Sequence, residues 1–178
     1  MLLIYSLKTT QRITYIFKHI CFRILGIEVN FTNVIEDFMA YSGPKLSYGK
    51  KELGDELFIQ STELLMQDGF ESIDITVKDW GDTKCFFAVG KNSSLPFDIF
   101  AASFYLLSRY EEYLPQVKDE KGRFLASESI AFKAGFLQYP VVDIWAYKFK
   151  DLLLQTFPDI KYSTRKPCVH NIINASQP

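Results

Sequence analysis

The 178 residues carry 20 cations against 21 acids; 48% are hydrophobic and 16% aromatic. Such a chain has apolar surface enough for one packed domain, which excludes disorder or a collagen-like repeat for its bulk. The near-neutral balance gives no global field for a polyanion, so nucleic acid is not an expected partner. In chain order, residues 2–7 form an apolar run that fits a strand. Thr9 or Thr10 can cap a following helix with its hydroxyl. Ile13, Ile16, Phe17, Ile20, Cys21 and Ile24 then recur at helical spacing as one stripe. Gly26 is placed to end that helix in a left-handed turn. Residues 28–32 alternate polar and apolar as a half-buried strand does. A strand, a helix and a strand of these lengths predict a parallel crossover. The face opposite the stripe is basic and can be read as a membrane-surface helix or as the solvated back of a core helix. The core helix is the expectation.

Further along, residues 34–41 fit a short helix, 45–49 and 56–60 two strands, and 62–67 a helical turn or two. Ile73, Ile75 and Val77 alternate, and 85–89 is a second apolar run. The two predict a hairpin turning through residues 78–84. Asp98 can cap a helix that runs on to Tyr110 or Glu111 and is stopped by Pro115. A last helix starts near Pro140, carries Val142, Trp145, Phe149, Leu152, Leu153 and Thr156 on one face, and ends before Pro158. The expected fold is therefore α/β: one domain over residues 1–160, with a mixed β-sheet opened by a βαβ unit and covered by three main helices. An extended or disordered tail is expected over 161–178.

Met1 to Tyr5 is too short for a leader's apolar segment, and no run of about 18 apolar residues crosses a membrane. Three cysteines, Cys21, Cys85 and Cys168, fit a reducing compartment, and a cytoplasmic location without a membrane partner is expected. Cys21 and Cys85 read as small core residues.

No motif completes a catalytic or metal site, and no cofactor is expected. The two histidines, His19 and His170, lie far apart, and Cys168-x-His170 lacks a second ligand pair. There is no G-x-S-x-G elbow and no G-x-G-x-x-G turn. The polar cluster worth following is Arg109, Glu111 and Glu112, with Arg123 and Lys121 in the next loop as candidate partners for the two acids. It is a docking site or a salt-bridged seam, and Arg109 and Glu112 are spaced to pair. Among Tyr105, Tyr110, Tyr113, Tyr139, Trp80 and Trp145, the candidates for stacking on sugar rings are Trp80, Tyr113 and Trp145. Aromatic residues at helical spacing also fit a core.

Several stretches together carry a family resemblance. They are PFDIFAASFYLLSRYEEYL at residues 96–114, Gly122-Arg123-Phe124, Ala126-Ser127-Glu128-Ser129, Gly135-Phe136-Leu137 and PVVDIW at residues 140–145. Leu3-Ile4-Tyr5, ITYIF at residues 13–17, Leu25-Gly26-Ile27 and Gly54-Asp55-Glu56-Leu57 join them. This pattern resembles the uncharacterised N-terminal domain that precedes the catalytic domain in bacterial polysaccharide deacetylase-like proteins. The resemblance implies a metal-dependent carbohydrate esterase domain as partner, with an aspartate base and a metal held by an aspartate and two histidines. None of those residues can be carried over onto this sequence. The expected function is thus a non-catalytic accessory domain, cut at its junction, that packs on or orients the esterase domain. A carbohydrate-binding module using exposed aromatic residues and a stand-alone enzyme are the alternatives.

Overall fold

The computed structural model describes residues 1–164, 169 and 171–173. Cys168, His170 and most of the expected tail lie outside the described residues. Four strands form one sheet: β1 (Leu2–Tyr5), β2 (Val29–Thr32), β3 (Lys45–Gly49) and β4 (Leu57–Gln60), in the order β2-β1-β3-β4. Every pairing in it is parallel. Antiparallel pairing is confined to a separate ribbon, β5 (Lys78–Trp80) with β6 (Thr83–Cys85). The helices are α1 (Gln11–Phe17), continued by a π-helical segment Lys18–Ile24, then α2 (Ile35–Ala40), α3 (Ile99–Leu107), α4 (Ile130–Lys133) and α5 (Val141–Thr156). The α/β fold and its opening βαβ unit are as expected, with the two kinds of pairing held in different sheets.

Local chemistry explains the elements. The Thr10 hydroxyl accepts from the Ile13 N–H and starts α1. The stripe Ile13, Ile16, Phe17, Ile20 and Cys21 is fully buried, so the apolar face of this helix looks into the protein. The π-helical turns, with Leu25 N–H bonded to Ile20 O, set back the phase of the stripe. Leu25 is therefore buried where Ile24 was expected, and Ile24 is only half-buried. Gly26 closes the segment with φ +68°.

Asp98 is the polar pin of the core. It is fully buried, and its Oδ1 accepts from the Ala101 N–H, capping α3. Its Oδ2 accepts from the Tyr48 hydroxyl, the Thr62 N–H and the Thr62 hydroxyl. Burial pushes its carboxyl above the usual carboxylate range, against the pull of these bonds. Phe17 and Phe100 stack at 3.6 Å between ring centres, and Tyr48 and Phe149 meet them edge-on. The edge strands are finished with side chains. Ser94 Oγ takes the Phe58 N–H and Ser93 Oγ takes the Gln60 N–H of β4, while Asn30 Oδ1 takes the Phe31 N–H of β2.

Two expectations change. The hairpin turns at Gly81-Asp82, inside the segment expected to be its loop. Residues 72–77 form no strand, although Ile73, Ile75 and Val77 do pack on the core at alternate positions. A two-residue loop with Gly81 at φ +63° fixes that register, and the alternation reports burial without pairing. Helix α3 also stops at Leu107, three residues short of Tyr110. Arg109 takes a left-handed conformation at φ +54° and redirects the chain into a 3₁₀ turn, Tyr110–Tyr113. A non-glycine residue there costs on the order of 1–2 kcal/mol. The turn holds because buried Tyr110 accepts from the Glu71 N–H and donates to Glu71 O.

Candidate functional site

The end of α3, the 3₁₀ turn, the segment around α4 and the start of α5 enclose an open cup of about 510 Å³. Tyr105, Phe136 and Val142 are buried and form its floor, while Leu107, Leu137 and Tyr139 stand exposed on its rim. Tyr139 is 65% exposed. Glu111, Glu112, Arg109 and Asp143 bring charge to the same wall. An apolar floor with a few convergent polar groups is the usual make-up of a ligand site. The stretches 96–114, 122–124, 126–129, 135–137 and 140–145 follow one another along the chain, and each contributes to this lining.

The predicted charged cluster divides. Arg109 pairs with Glu112, as the spacing predicts, but across the left-handed bend rather than along a helix. Glu111 Oε1 accepts the Ile130 N–H at 2.8 Å and so caps the start of α4. Burial lifts the Glu111 carboxyl above its ordinary range. The Ile130 N–H and the Lys133 charge pull it back, and Glu112 pushes it further up. Burial likewise raises the Tyr105 hydroxyl, with the Glu111 charge adding to it. Arg123 does not reach either acid. It pairs with Asp119 within its own loop, whose backbone turn places the two together. The expectation that Arg123 neutralises Glu111 and Glu112 is corrected accordingly.

The aromatic residues chosen for sugar stacking fare differently. Trp145 is fully buried, and its indole N–H donates to Lys84 O. It is a core residue and presents no face to a ligand, because its helical position falls on the inward side of α5. Trp80 is half-buried, with the Lys148 ammonium 4.8 Å above its ring and Phe97 at its edge. Tyr113 is exposed, but one face lies stacked on Phe70 at 4.3 Å. Tyr139 is the aromatic residue on the cup's rim.

At the other end of α5 the chain is pinned. Ile160 is buried, Lys150 sits over the Tyr162 ring, and the Ser163 N–H donates to Gly26 O at 2.9 Å. A Cβ on Gly26 would lie 2.3 Å from Ser163 O, so only glycine permits this approach. Sequence reasoning gave Gly26 its helix-ending role and missed this second one, which has no local signal.

Among the described residues no group of three or more His, Cys, Asp or Glu could hold a metal ion, and no helix is long and apolar enough to cross a membrane. Cys21 and Cys85 are buried free thiols, and burial pushes Cys21 up to about 12. Neither has the lowered pKa of a nucleophile.

Among the described residues, a four-stranded parallel sheet, five helices and an open cup at one end of the helix pair α3–α5 make up this α/β domain. The chain belongs to DUF7033, a family of unknown function, whose family model matches residues 2–158. No curated protein and no solved structure matches it.

Proposed function

We propose that this chain is the non-catalytic accessory domain of a polysaccharide deacetylase-like protein, holding and orienting a metal-dependent carbohydrate esterase domain. The observation that carries the reading is the pinned passage 160–163. A chain fastened by Ile160 and by Ser163 on Gly26 leaves the domain in a set direction, and a following domain inherits that direction. A loose linker would orient nothing. The resemblance over residues 1–160 supplies the nature of the partner. The reading draws no catalytic residue from this chain.

The test joins residue 164 to the deacetylase-like catalytic domain of a relative and measures esterase turnover on an acetylated oligosaccharide. The expected result is higher turnover in the fusion than in the isolated catalytic domain, and a loss of that gain in a Gly26→Ala fusion. Equal turnover in all three proteins overturns the reading. A second reading, carbohydrate binding in the cup, is favoured by exposed Tyr139 beside Glu111 and Asp143. Flat calorimetric titrations with acetylated and deacetylated oligosaccharides would remove it.

A further inference from the structure

Charge is distributed unevenly along this nearly neutral chain. Lys8, Arg12, Lys18 and Arg23 lie in the first 27 residues, and all 21 acids come after them. Because the apolar stripe of α1 and its π-helical continuation is buried, the cationic face turns outward. That face is not flat. Thr10, Thr14, Tyr15, Lys18, His19, Phe22 and Arg23 border a groove of about 530 Å³ along the helix. Phe22 is 54% exposed and Tyr15 44%, interleaved with the exposed Lys18 and Arg23. No salt bridge among the described residues engages Lys8, Lys18 or Arg23. Arg12 is different, since its guanidinium is spent on Leu64 O and Gly69 O.

We propose that this face is a peripheral docking surface for an anionic lipid bilayer, with Phe22 entering the headgroup layer and Lys18 and Arg23 meeting the phosphates. An interfacial helix ordinarily sinks its apolar face into the headgroup layer; here that face is in the core, so the contact rests on charge complementarity and on exposed Phe22. Each cation near an anionic leaflet adds to binding, and the attraction falls off within a Debye length. Single-stranded nucleic acid fits less well, because successive bases need a row of open rings. Tyr15 is already engaged by Phe104 and His19, which leaves Phe22 alone. This contact involves the basic back of the helix. The sequence alone favoured a solvated back for this core helix and no membrane partner; the open groove, the unpaired cations and exposed Phe22 are what revise that expectation.

Co-sedimentation of the chain with vesicles of mixed phosphatidylglycerol and phosphatidylcholine tests it, with pure phosphatidylcholine vesicles as control. The expected result is binding to the anionic vesicles at low salt and release at high salt. A Lys18→Gln/Arg23→Gln variant then loses about tenfold or more in partition. Phe22→Ser weakens the residual binding further. All three side chains are exposed, and circular dichroism checks that each variant keeps its helix content. Failure of the unmodified chain to sediment overturns the proposal, as does equal binding to neutral vesicles. So does wild-type partition in the folded double variant. A gel shift on single-stranded RNA without vesicle binding overturns it in favour of a nucleic-acid partner.

Discussion

The two ends of the α3–α5 helix pair are built on opposite plans. At the end where α3 begins, Asp98 makes four hydrogen bonds, Phe100 is stacked on Phe17, and Ile160 and Ser163 fasten the chain. At the end where α5 begins, short turns are held by a few bonds each. Ser129 and Glu111 accept N–H groups at the start of α4, Tyr110 holds the 3₁₀ turn through two bonds to Glu71, and Leu107, Leu137 and Tyr139 are left to solvent. Apolar area at that end is kept out of the core, whereas at the other end it is packed and pinned.

On this contrast, substitutions at the closed end should cost stability and those at the open end should not. The largest effect is expected for Phe100→Ala, which empties a fully buried ring site and should cost about 3–5 kcal/mol in urea unfolding. Asp98→Ala follows at about 3 kcal/mol, since it removes a cap and strands the Tyr48 hydroxyl and the Thr62 N–H. Gly26→Ala combines a left-handed backbone with a collision at Ser163 and should cost about 1–2 kcal/mol. Limited proteolysis should then cut near residue 160 sooner than in the unmodified chain.

Glu111→Gln sharpens the comparison through pH. The folded Glu111 pKa is raised, so the residue's favourable contribution is complete below its unfolded pKa and is lost as pH rises through the folded value. The glutamine variant cannot show this loss. Its stability relative to the unmodified chain should therefore improve from acid to neutral pH, as read by thermal melts at a series of pH values. The smallest effect is expected for Tyr139→Ala, within about 0.5 kcal/mol of the unmodified chain. A loss comparable to that of Asp98→Ala would show the open end to be structural.

How much of this was legible follows from the kind of signal each feature leaves. The βαβ opening was readable because Ile13, Ile16, Phe17, Ile20 and Cys21 keep helical spacing between two apolar runs. The capping roles of Thr10 and Asp98 were readable for the same local reason. The π-helical widening after Phe17 was not, since hydrogen bonding to the fifth residue has no residue type of its own. The bend at Arg109 escaped because nothing in Ser108-Arg109-Tyr110 marks a left-handed residue. The hairpin did leave a sign, the pair Gly81-Asp82, but the stronger alternation of Ile73, Ile75 and Val77 pointed elsewhere. In the cup, Arg109, Glu111 and Glu112 stood out as charges. Leu107, Leu137 and Tyr139 meet them only through the tertiary fold.

The side-chain bonds along the sheet's margins bear on what happens when many copies meet. A strand from a second molecule could lengthen the sheet only by taking the outward N–H groups of β4 or β2. Ser93, Ser94 and Asn30 already occupy three of them. Growth by strand addition, the step that begins fibrils, is thus obstructed at both margins by neighbouring polar side chains. Replacing Ser93 and Ser94 together would free the Phe58 and Gln60 N–H groups, while the backbone of the same segment still covers β4 through the Ser94 N–H to Phe58 O bond.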